Sequence, residues 1–184
     1  MLITQRPLTY VQSLEGRSTE IISLAVIHCT ELPDLAMARI WGEKEIYPES
    51  HTGNSGHFYI DRDGSIEQWV PVDRIAHHVR GFNPESIGIE LINTGRYPGW
   101  FKSDHQQVTE PYPDVQIESL LSLLKHLEKQ YPRIQNIAGH SELDTDMLPS
   151  QDRPEIKIRR KIDPGPGFPW HAILNGISLN RFKR

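Results

Sequence analysis

Ile21-Ile22-Ser23-Leu24-Ala25-Val26-Ile27-His28-Cys29-Thr30 decides the fold. Apolar residues occupy both parities of this run, so neither face of the segment suits water. The reading is a central strand covered on both sides. Such strands belong to parallel or mixed sheets with helices packed on them. His28 stands at the carboxyl end, where ligands gather in open α/β sheets.

Working outward, Ser86-Ile87-Gly88-Ile89-Glu90-Leu91-Ile92 reads as a second strand. Alternation puts Ile87, Ile89 and Leu91 on one face and Ser86, Gly88, Glu90 and Ile92 on the other. Ile134 to Ala138 reads as a short strand ending at Gly139-His140. Gly56 to Ile60 and Ser65 to Val70 flank Asp61-Arg62-Asp63-Gly64, an Asp-Gly hairpin signal. Ile75 to Val79 is expected to be a further short extended piece, and Met1 to Thr19 a polar lead-in.

Asp34 is expected to cap a short helix carrying Met37, Ile40 and Trp41. Asp114 is expected to cap a longer one whose apolar stripe is Ile117, Leu120, Leu121, Leu124 and Leu127. Two long loops remain, Asn93 to Pro113 and Ser141 to Ile158, and a terminal helix is expected to start near Pro169. Strands interspersed with helices give the expected class: α/β, a single domain over residues 1–184 with a core of about 21–174, and a mixed central sheet flanked by helices.

The totals exclude several classes. With 37% hydrophobic and 24% charged residues, the 184-residue chain has an ordinary globular composition. A net charge of −4 argues against a general nucleic-acid binder. No apolar run approaches bilayer length and no signal peptide is recognisable, so a cytoplasmic protein without membrane attachment is expected. The one cysteine, Cys29, excludes an internal disulfide and fits a reducing compartment. No obligate protein partner is indicated.

Lys161-Ile162-Asp163-Pro164-Gly165-Pro166 carries the second signal. In an extended segment Lys161 and Asp163 leave the same side, and Pro164 biases Asp163 toward that backbone. His28, His140 and Asp163 are a sufficient set for a catalytic zinc with an open fourth position. Such a metal lowers the pKa of water to about 7. Glu90 is then the free carboxylate that moves a proton, and Lys161 the cation that stabilises an oxyanion. Each residue also has a plain structural reading. A strand-end histidine is more often simply hydrogen-bonded. Glu90 could sit in an ion pair with Lys161 or Arg80. Asp before Pro is common in turns, and Lys161 continues the basic run Arg159-Arg160.

Four motifs occur in order: Val26-Ile27-His28-Cys29-Thr30, Ser86 to Leu91, Ala138-Gly139-His140-Ser141 and Arg160 to Pro166. Together they resemble the AmpD family of zinc-dependent N-acetylmuramoyl-L-alanine amidases, whose wider group includes phage lysozyme-type amidases and peptidoglycan recognition proteins. The resemblance implies one zinc per chain, held by His28, His140 and Asp163, with Glu90 and Lys161 catalytic. It implies hydrolysis of the amide joining the lactyl group of N-acetylmuramic acid to L-alanine, on soluble anhydromuropeptides during cell-wall recycling. Intact peptidoglycan as substrate and a non-catalytic peptidoglycan-binding module are the alternatives. His78, in Ala76-His77-His78, and Arg80 are carried over as substrate contacts. Gly56 stands where lysozyme-like members carry a mechanistic tyrosine, which leaves the proton work to Glu90.

Overall fold

The computed structural model describes residues 1–182. The segment β2 (Leu24–Cys29) is buried along its whole length. It is paired in parallel by β5 (Ser86–Leu91) on one side and β6 (Asn136–Gly139) on the other. The sheet extends through β3 (Phe58–Ile60), β4 (Ile66–Gln68) and β1 (Ile3–Gln5) on the β5 side, and ends with β9 (Asn180–Arg181) beside β6. Among the described residues of this sheet, only the β3–β4 pair, the expected Asp-Gly hairpin, is antiparallel. The expected mixed α/β sheet is therefore present.

The two faces of the central strands differ in chemistry. Ala25, Ile27 and Cys29 of β2 and Ile87, Ile89 and Leu91 of β5 pack under helix α2 (Asp114–Gln130). That helix presents Ile117, Leu120, Leu123, Leu124 and Leu127, and each fully buried leucine contributes about 2 kcal/mol. Leu123 joins the stripe read from the sequence, while Leu121 is only partly buried. The opposite face carries Val26, His28, Ser86, Gly88 and Glu90 and is the one that opens to a cleft.

Several local expectations are corrected. Asp114 is the first helical residue; Pro113 occupies the cap position and no side chain caps that end. Asp34 does cap α1 (Leu35–Gly42), accepting from the Met37 N–H at 2.7 Å. That helix buries Ala38 and Gly42, leaving Ile40 and Trp41 outside. Ile75 to Val79 forms no strand, because both edges of β4 are already taken by β1 and β3. The first nineteen residues are no mere lead-in. They supply β1, and Leu8, Tyr10, Val11 and Leu14 pack into the cluster around Trp69. Packing thus reaches beyond residues 21–174, to Leu8 at one end and Leu179 at the other.

The loop from Ser141 to Ile158 is also ordered. Helix α3 (His140–Leu143) follows β6 directly, and β7 (Met147–Pro149) pairs antiparallel with β8 (Lys157–Arg159) as a separate hairpin. Helix α4 (Trp170–Gly176) buries Ile173 against the core beneath α2, and Pro169 is its cap residue. Among the described residues, no helix is long and apolar enough to cross a membrane.

Candidate metal centre

Three adjacent parallel strands deliver the site. In the β2–β5 register His28 faces Glu90, and in the β2–β6 register Ile27 faces Gly139, which brings His140 beside His28. All three side chains therefore emerge at the carboxyl ends of the middle strands. Asp163 comes from outside the sheet, on the Pro-rich segment after β8 (Lys157–Arg159). The Ser141 N–H donates to the Asp163 carbonyl at 2.9 Å, and the Tyr112 hydroxyl donates to the Pro164 carbonyl at 2.6 Å. Gly139 makes the approach possible, since a Cβ there would lie 2.7 Å from Pro164 Cδ.

The result is a tight triangle. His28 Nδ1 and His140 Nδ1 are 3.0 Å apart, and each is 3.2 Å from Asp163 Oδ2. Tetrahedral zinc ligands at about 2.0–2.1 Å stand roughly 3.3 Å from one another, so the spacing fits. The donor set is two imidazoles and one carboxylate, all buried. Among the described residues, Asp163 Oδ1 and His140 Nε2 are buried with no hydrogen-bond partner. Burial works to raise the Asp163 pKa, yet His140, His28 and the Lys161 charge hold it well below the usual carboxylate range. Burial lowers the His140 pKa against the pull of Asp163. Asp163 is thus held as a carboxylate beside a His140 ring whose burial disfavours its charged form, and a carboxylate with unprotonated imidazole nitrogens is the donor set a cation binds.

Glu90 Oε1 lies 3.9 Å from His28 Nδ1, close to the triangle but outside it. Its side chain is 13% exposed and reaches the cleft. Burial raises its pKa, with His28 opposing and Asp163 adding to the rise. Gly56 clears its place, because a Cβ there would stand 2.7 Å from Glu90 Cγ. Neither Lys161 nor Arg80 pairs directly with Glu90. Lys161 lines the cleft beside Asp163, near enough to depress the pKa of both carboxylates. Arg80 is at the rim in an exposed 2.9 Å ion pair with Asp146.

His78 lies beneath His28 on the sheet. Its Nδ1 is 3.0 Å from His28 Nε2, and its Nε2 is 3.2 Å from Ser86 Oγ. Cys29 points away into the core under α2, as the alternation required. The cleft measures about 650 Å³, within the usual range for a small-molecule site.

Parts of its lining carried no signal in the sequence. Trp41 and Tyr47 stand half-exposed on its wall, the former edge-on to Trp100 at 5.8 Å. Of the aromatics in the first long loop, Trp100 and Phe101 reach the cleft, whereas Tyr112 packs on Phe168. A buried ion pair was also missed. Arg96 holds Glu31 at 2.6 Å and donates to the carbonyls of Arg159 and Arg160, directly before Lys161. Helical spacing in α1 points Trp41 outward, but only the fold places a cleft beside it.

Residues 18–166 match the family described as N-acetylmuramoyl-L-alanine amidase, Amidase_2. The 1,6-anhydro-N-acetylmuramyl-L-alanine amidase AmpD of Enterobacter cloacae is 36% identical over 70% of this chain, which spans 62% of that relative's length. The solved structure of a selenomethionine AmpD derivative superposes with a TM-score of 0.68 at 26% identity, covering 95% of this chain and 94% of that one. The Escherichia coli amidase AmiD, solved in complex with anhydro-N-acetylmuramic acid-L-Ala-D-γ-Glu-L-Lys, gives a TM-score of 0.63 at 26% identity, over 85% of this chain and 57% of that one. With most of its length matched and its architecture shared by solved members, the chain is an enzyme of the N-acetylmuramoyl-L-alanine amidase family.

Proposed function

We propose that this enzyme uses one zinc ion, held by His28, His140 and Asp163, to hydrolyse the amide between the lactyl group of N-acetylmuramic acid and L-alanine. The observation that carries the reading is the triangle of donors with 3.0–3.2 Å edges, with a free carboxylate 3.9 Å from one corner. Zinc supplies Lewis acidity, polarising a carbonyl oxygen and bringing the pKa of water down to about 7.

The chain supplies the rest. Glu90 accepts a proton from the attacking water as the C–O bond forms at the lactyl carbonyl carbon. It returns that proton to the alanine nitrogen as the C–N bond breaks. One water is consumed, and the second proton, shed as the new acid ionises, completes the alanine ammonium and leaves a lactyl carboxylate. The buried setting of Glu90 raises its pKa toward the working pH, which suits a group that must both take and give a proton. Lys161 brings its ammonium to the oxyanion that develops on the carbonyl. The cation-bearing rim, with Arg80 and Arg160, suits the carboxylates of a stem peptide. The ion pair of Arg80 is solvent-exposed and worth little, so it can exchange Asp146 for a substrate carboxylate. Both nitrogens of His78 already have partners within the fold, which makes it a weaker candidate for a polar substrate contact.

Soluble anhydromuropeptides are the favoured substrate form, because the AmpD relative is named for a 1,6-anhydro sugar and AmiD was solved with an anhydromuramyl peptide. Cytoplasmic cell-wall recycling is the setting that goes with such substrates. The test is to incubate the zinc-loaded protein with anhydromuropeptides and, separately, with intact sacculi, and to identify products by mass. Release of intact stem peptide from the soluble substrate at the higher rate supports this reading. Faster release from sacculi would favour an enzyme of intact peptidoglycan, and binding without release a non-catalytic module.

A further inference from the structure

Ser86, His78 and His28 form an unbroken line of hydrogen bonds that ends at the donor triangle. The Ser86 hydroxyl has one proton, and it goes to the Phe82 carbonyl at 2.7 Å, an oxygen that can only accept. Ser86 Oγ must therefore accept from its other neighbour, His78 Nε2, 3.2 Å away. His78 then carries its proton on Nε2. In the neutral ring Nδ1 is left with a lone pair, which faces His28 Nε2 at 3.0 Å. His28 must donate there, so its own proton is on Nε2 and its Nδ1 is bare. That Nδ1 is the atom in the triangle.

We propose that Ser86 and His78 are positioning residues that lock His28 in the Nε2–H tautomer, so that its Nδ1 lone pair faces the metal position before any metal arrives. The inference rests on the zinc reading above for its purpose, but its content is a proton position in the metal-free protein.

Two features support it. The lock works against a nearer temptation: Asp163 Oδ2 is 3.2 Å from His28 Nδ1, and without the relay an Nδ1–H tautomer would donate to it. With the relay in place, the Nδ1 proton next to Asp163 falls to His140, whose Nδ1 can donate to Asp163 Oδ2 and face the His28 lone pair at 3.0 Å. The fold also makes dedicated room for the His78 ring. A Cβ on Gly88 would stand 2.6 Å from its Cγ and 2.7 Å from its Nδ1, so strand β5 accepts the ring only at a glycine. The backbone is pinned as well, since Asn83 Oδ1 accepts from the His78 and Val79 N–H groups at 3.1 and 2.7 Å. His140 has no comparable partner at its outer nitrogen among the described residues.

The experiment is long-range 15N–1H NMR of the histidine side chains in metal-free protein, with each ring assigned through correlations to its own backbone and a His78→Phe variant as comparison. The expected result is His28 and His78 both in the Nε2–H form, with His28 losing that preference in the variant. A His28 ring protonated on Nδ1 in the wild type would overturn the proposal. Zinc affinity measured by chelator competition is the second readout: His78→Phe should raise the zinc Kd by about 10- to 100-fold, the usual effect of losing an outer partner of a ligating histidine. An unchanged Kd would also overturn it. Should His78→Phe not fold, the wild-type spectrum alone decides. Should the wild type bind no zinc, the functional reading fails while the tautomer result still stands or falls separately.

Discussion

Glu90 Oε1 stands 3.9 Å from His28 Nδ1, and the two residues are register partners on adjacent parallel strands. The sheet itself therefore fixes the separation between the proposed proton carrier and the proposed metal ligand. Rigid elements hold such pairs more closely than loops do.

Replacing Glu90 with Gln should separate chemistry from metal binding. Zinc content should be unchanged, and turnover should fall by about 10²- to 10⁴-fold, the range for loss of a general acid–base. The same variant should be more stable when metal-free. Burial raises the folded pKa of Glu90, so its protonated form favours the fold. That contribution is full below the unfolded carboxyl pKa of about 4.3 and is lost as pH rises through the folded value. Glutamine stays neutral throughout. Thermal denaturation of both metal-free proteins at pH 7 should therefore give the variant the higher Tm; a lower Tm would contradict the burial account.

Gly56→Ala probes the same carboxylate without touching it. The added methyl would lie 2.7 Å from Glu90 Cγ and 3.2 Å from the Gly88 carbonyl, so Glu90 must move. A shift of that size at a reacting group costs on the order of 10²-fold in rate. Steady-state kinetics should show the loss in kcat, while zinc content stays at the wild-type level.

How far these relationships were legible in the sequence follows from their range. The apolar runs through His28 and Glu90 declared the central strands, and alternation separated the α2-facing residues from the site-facing ones. The cluster of His28, His140 and Asp163 was readable because each member sits in a recognisable motif. The N-terminal packing was not, because Leu8, Tyr10, Val11 and Leu14 follow no regular period and are buried only once Trp69 arrives from β4's end. Nor was the role of His78. A histidine in a turn carries no local mark of its neighbour fifty residues away, and the glycine that accommodates it looks like any strand glycine. The Arg96–Glu31 pair was hidden for the same reason.

That pair gives a third prediction. Arg96 and Glu31 are almost wholly buried, and Arg96 also secures the carbonyls of Arg159 and Arg160. Arg96→Ala leaves Glu31 as an uncompensated buried charge, a change that costs about 3–5 kcal/mol. Urea denaturation should show that loss. Because the segment ahead of Lys161 and Asp163 is freed, zinc affinity should weaken too, although no metal donor has been altered.

The most direct check on the central claim is a titration. Protein stripped with a chelator is mixed with increasing zinc, and cleavage of an anhydromuropeptide is followed at each ratio. Activity should be absent without metal, rise linearly and break at one zinc per chain. Activity that survives stripping, or a curve with no break at one equivalent, would contradict a single zinc held by His28, His140 and Asp163.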